Sequence, residues 1–232
     1  MTDIRIGGLE RLSTCDWPGE LVATVFLQGC PWDCPYCHNP HLIPVKADTA
    51  LDWHEVLGFL RSRRGLLDGV VFSGGEPTLQ RGLPKAMKAV RDLGFRVGLH
   101  SGGPYPARFA SALPYCDWVG FDIKAPFAQY AHVTAAKGSG DKARESLKML
   151  LASGVAYQVR TTVDPALLDH AAVARIGAEL TALGVTRHTL QECRQAGTRL
   201  TGRSASLPNN TITAKIASAV SRPVLKGHFH EG

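Results

Sequence analysis

Three cysteines crowd into one short stretch of this chain. In GCPWDCPYCHNP, Cys30, Cys34 and Cys37 stand at the spacing C-x3-C-x2-C. Three thiolates suit soft metals, which means zinc or an iron–sulfur cluster. Structural zinc takes four ligands, so a zinc site must recruit His38 or His41, and the usual second C-x2-C pair is missing. An iron–sulfur cube held by three cysteines leaves one iron without a protein ligand, open to an exogenous one. The spacing therefore favours the cluster. Cys15, Cys116 and Cys193 are dispersed and read as small apolar residues.

Four further segments carry chemistry. In SGGEPTLQ, Gly74 and Gly75 let backbone approach a ligand closely, and Glu76 with nearby carbonyls can accept from an ammonium. In GFDIK, strand alternation puts Asp122 and Lys124 on one face, where opposite charges need a polar ligand or each other. In LHSGG, Ser101 offers a hydroxyl and His100 a second polar contact. In YQVRTTV, Gln158, Arg160 and Thr162 share a face, and Arg160 is suited to balancing carboxylates. Tyr36 and His38, which flank Cys37, complete the candidate cofactor contacts. Gln191 and Cys193 share a face on the last strand, with Cys193 read as structural.

The elements that must position these residues alternate. Strands are predicted at Leu21–Gln28, Gly69–Ser73, Phe95–Ser101, Trp118–Lys124, Val155–Val163 and Arg187–Cys193. Helical patterns fall at Leu51–Arg64, Leu83–Leu93, Pro106–Leu113, Lys142–Ala152 and Leu168–Leu183, several of them stopped by glycine. Such alternation predicts an α/β fold with parallel strands and helices outside, either a doubly wound sheet or a full or partial barrel. In each, chemistry gathers at the C-terminal ends of the strands, where the cysteine loop, GGEP, HSGG and DIK all fall.

The composition, 44% hydrophobic and 20% charged over 232 residues, excludes disorder and allows a sizeable core. No stretch approaches the ~18 apolar residues of a membrane span. The first residues lack the apolar region of a secretory signal, so a cytoplasmic protein is expected, where thiols persist unpaired. The formal charge of +6 comes from scattered basic residues without interleaved aromatics, a poor match to nucleic-acid binding. Residues 1–197 are expected to form the catalytic domain. Residues 198–232 form a tail with a short helix at Thr211–Ser221 and a loose HFHEG end.

With Tyr36 before the last cysteine, the C-x3-C-x2-C motif resembles the radical S-adenosylmethionine (radical SAM) superfamily. The resemblance implies a [4Fe–4S] cluster on Cys30, Cys34 and Cys37 whose open iron chelates the amino and carboxylate groups of SAM. Reduction then cleaves the S–C5′ bond and yields a 5′-deoxyadenosyl radical that abstracts hydrogen. It also implies that Gly74, Gly75 and Glu76 receive the amino group of SAM, and that Asp122 and Lys124 lie beside its carboxylate. In some members the D-x-K segment helps hold a monovalent cation, but His100 stands where the family often has a carboxylate and cannot replace it as a hard-cation ligand.

The opening GGLERLSTCDWPGELVATVFLQGCPWDCPYCHNP is similar to the start of activating enzymes for glycyl-radical proteins. Together with RRGLLDGVVFSGGEPTLQ, FDIKAP and VRTTV, it resembles the activating proteins of anaerobic ribonucleoside-triphosphate reductase, from about Ile6 to Gln195. That resemblance implies a glycyl-radical enzyme as partner and a reducing donor such as flavodoxin or ferredoxin. The chain's length and single cysteine cluster suggest a partial TIM-type barrel of about six β/α units, open at one side to a partner's loop. Two rival readings are a radical SAM enzyme acting on a small molecule, such as a deazapurine-type synthase, and a non-catalytic zinc-binding protein.

Overall fold

Runs such as VATVFL and GVVFSG are β-branched and apolar on both faces, as strands buried between two layers must be. The computed structural model describes residues 4–47, 51–194 and 197–199. Its strands are β1 (Ile6–Ser13), β2 (Val22–Leu27), β3 (Gly69–Gly74), β4 (Arg96–Ser101), β5 (Trp118–Asp122), β6 (Ala156–Val163) and β7 (His188–Glu192). The helices are α1 (Trp53–Arg61), α2 (Leu83–Asp92), α3 (Pro106–Ala112), α4 (Tyr130–Thr134), α5 (Ser139–Ser153) and α6 (His170–Ala182). These residues belong to a compact unit spanning Met1–Thr201. The expected helix at Thr211–Ser221 and the HFHEG end lie outside the described residues.

The strand order follows the chain, β1-β2-β3-β4-β5-β6-β7. A doubly wound sheet reverses direction at a switch point, and this one never does. Strands β2 to β7 are parallel to their neighbours, and β1 pairs antiparallel with β2. Among the described residues the six parallel strands of a partial barrel are therefore present, five of them (β2 to β6) followed by a helix, with β1 and β7 as the two edges. Each strand and helix predicted within the described residues is found, with ends shifted by no more than three residues.

Strand β1 and the short α4 were not predicted. The sequence IGGLERLS has a glycine pair and three consecutive exposed residues, Glu10, Arg11 and Leu12, so it carries no clean alternation. Pairing with β2 makes it a strand, with irregular register between Ile6 and Gly8 and between Glu10 and Ser13.

The sheet separates two interiors. One face, with Val70, Phe72, Val97, Leu99, Val119, Phe121 and Val159, packs under the helices in the main core. The alternate residues face the barrel interior. At the N-terminal end of the strands, Trp17 from the β1–β2 connection, Val22, Val71 and Trp118 form a separate apolar cluster. The two indoles stack at 5.5 Å. Gly98 makes room for them, because a Cβ there would stand 2.9 Å from Trp17. This plug fills one end of the barrel and leaves the other end for chemistry. Among the described residues no helix is long and apolar enough to cross a membrane.

Candidate active site

The cysteine loop leaves β2 at its C-terminal end. Gly29 turns the chain with φ +99, a left-handed value that favours glycine. The loop's base is stitched by Gly29 N–H to the Leu42 carbonyl at 2.8 Å and Cys30 N–H to Ile43 at 3.0 Å. A tight turn closes Cys34 to Cys37, whose N–H donates to the Cys34 carbonyl at 3.1 Å. All three thiols are free, with Cys34 buried and Cys30 and Cys37 half-buried.

Burial pushes the Cys30 thiol up to about 12, with Glu76 and Cys34 adding to the rise. Burial also raises Cys34, helped by Cys37. Each neighbouring pair thus lies within electrostatic reach, and neither Cys30 nor Cys34 will ionise readily without a metal to stabilise the thiolate. Among the described residues no three His, Cys, Asp or Glu groups converge on a single-ion site. Three soft donors fit a polynuclear cluster whose corners each take one thiolate, whereas a structural zinc would need a fourth ligand.

The GGE turn lies directly against this loop. Gly75 N–H donates to the Leu27 carbonyl at 2.9 Å and Glu76 N–H to Gly29 at 2.8 Å. A Cβ on Gly74 would stand 2.3 Å from the Leu27 nitrogen, and one on Gly75 2.4 Å from the Gly29 oxygen, so only glycine fits. The Glu76 side chain does something its sequence context does not reveal. Its Oε1 accepts from Thr78 N–H (3.0 Å), Thr78 Oγ1 (2.6 Å) and Ser101 Oγ (2.8 Å), and its Oε2 from Gly102 N–H (3.0 Å). Burial raises its pKa against these donors. Glu76 and Ser101 therefore brace the ends of β3 and β4 to each other.

Beside them sits a half-buried charge cluster. Asp122 and Arg160 are register partners across β5 and β6. Asp122 Oδ1 accepts from Arg160 Nε at 2.9 Å and Oδ2 from Lys124 Nζ at 3.1 Å. Burial would raise the Asp122 pKa, but Arg160 and Lys124 outweigh it and hold the carboxyl well below the usual carboxylate range. Lys124 responds in the opposite sense. Burial opposes its charge, and Asp122, Tyr36 and Cys34 together hold it firmly protonated.

His100 closes the cluster on its inner side. Its Nε2 is 2.7 Å from the Asp16 carbonyl, so that nitrogen carries the hydrogen, and Nδ1 accepts from Ser73 Oγ at 3.2 Å. Arg160 Nη1 stands 3.2 Å from Nε2. Burial and then Arg160 push His100 down to about 4, so it is neutral at pH 7. A Cβ on Gly120 would lie within 3.0 Å of Trp118, His100 and Arg160, which makes that glycine a condition of the cluster.

The candidates Cys30, Cys34, Tyr36, Gly74, Gly75, Glu76, Ser101, Asp122, Lys124 and Arg160 converge at the C-terminal ends of the strands. Lys124 Nζ lies 5.9 Å from the centre of the Tyr36 ring and is felt by both Cys30 and Cys34. The Tyr36 hydroxyl is buried with no hydrogen-bond partner among the described residues. A buried hydroxyl left unpaired near the Lys124 ammonium suits a site completed by a polar ligand. His38 does not join them: it is exposed, with Nε2 3.0 Å from the Arg194 carbonyl. Asp16, Ser73, Gln28, Gln80 and Arg199 were missed. Their contacts run between segments far apart in the chain, which periodicity cannot show. Arg199 bridges to Asp33 at 2.5 Å and donates to the Cys34 carbonyl at 3.1 Å.

Residues 24–171 match the radical SAM superfamily. The chain belongs to that superfamily. This radical SAM enzyme accordingly uses a [4Fe–4S] cluster and SAM, and the non-catalytic zinc reading falls away. The chain is 31% identical over 172 residues to the pyruvate formate-lyase-activating enzyme of Clostridium pasteurianum, covering 71% of each chain. It is 28% identical over 173 residues to a Methanocaldococcus jannaschii protein provisionally named a glycyl-radical enzyme activating enzyme, covering 71% of this chain and 70% of that one. Among solved structures, Streptococcus suis SuiB superposes with a TM-score of 0.59 at 13% identity, over 82% of this chain and 42% of SuiB. That likeness concerns the fold.

Proposed function

We propose that this radical SAM enzyme activates a glycyl-radical enzyme, and that its partner is anaerobic ribonucleoside-triphosphate reductase. The observation that carries the first part is the similarity to activating enzymes over 71% of both chains. The choice of reductase rests on the joint resemblance of FLQGC-x3-CPYCHNP, SGGEPTLQ, FDIKAP and VRTTV to reductase activases. When bound, the cluster and SAM supply the one-electron cleavage and the 5′-deoxyadenosyl radical that takes hydrogen from the partner's glycine.

The chain's own residues bind, orient and exclude water. Cys30, Cys34 and Cys37 hold the cluster. Backbone of Gly74 and Gly75 receives the ammonium of SAM, held in place by the Glu76–Ser101 brace. Lys124 and Arg160 exceed Asp122 by one positive charge, with His100 neutral, so the wall between them favours a carboxylate. Tyr36 closes over the cluster side of Lys124. The gap between edge strands β1 and β7 admits a partner's loop, and the geometry of docking brings its glycine to the reacting carbon. A cytoplasmic flavodoxin or ferredoxin supplies the electron.

The test is anaerobic. Reconstituted protein, SAM, a reductant and the candidate reductase are mixed and read by electron paramagnetic resonance. A glycyl-radical doublet on the reductase is expected. Competent SAM cleavage without a radical on the reductase, but with one on another glycyl-radical enzyme of the same cell, overturns the choice of partner. Cleavage coupled to a small substrate and to no protein overturns the activase reading.

A further inference from the structure

The two glutamines that close the motifs FLQGC and GGEPTLQ have no part in the chemistry above, yet both are buried. Gln28 Nε2 donates to the carbonyls of His41 (3.1 Å) and Pro44 (2.7 Å), which lie on the far leg of the cysteine loop. Gln80 comes from the turn after Glu76. Its Nε2 donates to the Gln28 carbonyl (2.9 Å) and the Arg5 carbonyl (2.8 Å), and its Oε1 accepts from Arg5 N–H (2.6 Å). Two amides thus join three segments: the chain entering β1, both legs of the cysteine loop and the turn that follows GGE.

We propose that Gln28 and Gln80 are positioning residues, a buried amide clasp that holds the three-thiol loop closed and so governs how well the cluster is retained. The inference rests on the cluster reading and on neither the activase role nor the partner. The loop lies outside helices and strands, apart from a single short turn at Pro40–Leu42, so its shape depends on a few cross-links. Cys30, Cys34 and Cys37 all lie between the two stitched legs. With the legs joined, the ordering cost of bringing three thiols together falls on folding and not on cluster binding. Removing the buried Gln28 amide takes the cross-link off the His41 and Pro44 carbonyls, which lie at the exposed edge of the loop and turn to water instead, so states in which the loop opens are favoured.

The test uses the full chain in two states. In cluster-free protein, the alkylation rate of Cys34 by iodoacetamide reports loop opening. In cluster-loaded protein, iron release to a chelator reports retention. Gln28→Leu and Gln80→Leu are expected to speed both by about tenfold or more, the scale of one lost buried hydrogen bond. Leu147→Ala, a core change in a helix away from the loop, serves as a control that loses at least as much stability, and should leave both rates near wild type. If Gln28→Leu fails to fold, Gln28→Glu keeps the shape while removing both amide donors and carries the same expectation. Wild-type rates in the glutamine variants, or equal acceleration in Leu147→Ala, would overturn the clasp. Failure of the activase reading would appear in the radical assay and leave these rates untouched.

Discussion

The two ends of the barrel interior are built on opposite principles. At the N-terminal end, Trp17 and Trp118 stack against Val22 and Val71 and need nothing from outside. At the C-terminal end, a carboxylate and two cations hold one another charged, while thiols that burial makes hard to ionise and a hydroxyl unpartnered among the described residues are left uncompensated. The first end stabilises the fold, and the second holds ligands. Substitutions should therefore separate the two.

The largest effect is expected at the cysteines. Replacing Cys30, Cys34 or Cys37 with Ala should abolish the cluster and SAM cleavage, measured as iron content and 5′-deoxyadenosine formed. Cys15→Ala and Cys116→Ala should leave both largely intact. At the other end, Trp118→Ala should cost about 3–5 kcal/mol in denaturant unfolding. Iron per folded molecule should hold. If iron falls in step with stability, the division between the ends is wrong.

Asp122→Asn comes next. Removing the one carboxylate between Lys124 and Arg160 leaves two partly buried cations facing each other, at a cost of about 1–3 kcal/mol. Calorimetric titration should also show altered SAM affinity, which Trp118→Ala should not.

The pH dependence of stability sharpens the picture. His100 is held neutral in the folded chain and titrates at about 4, against 6.5 when unfolded. The unfolded chain binds more protons between those values, so stability should fall as pH drops from about 6.5 toward 4. The groups facing the ring are Arg160, Asp122, the Asp16 carbonyl, Ser73 and Trp118. Asp122, whose pKa is depressed, adds a second loss below its unfolded value near 3.8. His100→Gln should flatten the upper part of a melting-temperature profile and leave the lower part. The smallest effect is expected from Arg199→Ala, an exposed ion pair worth about 1 kcal/mol or less.

Much of this arrangement was legible in the chain. Apolar periods located the six parallel strands, and strand alternation placed Asp122 with Lys124 and aimed Arg160 inward. The role of Glu76 was not legible, because its partners Ser101 and Gly102 arrive from another strand end. Nor was β1, whose strand character comes from its neighbour. The contact of His38 with the Arg194 carbonyl was not legible either, because it joins residues far apart in the chain.

The sequence by itself determined the donor set and the order of the β/α units, since both are written in short-range spacing that survives any packing. Tertiary structure alone decided charge and satisfaction: that His100 is neutral, that Asp122 is shared by two cations, and that the Tyr36 hydroxyl finds no partner among the described residues. Those properties depend on burial and on distances between strands, and burial is a property of the assembled chain.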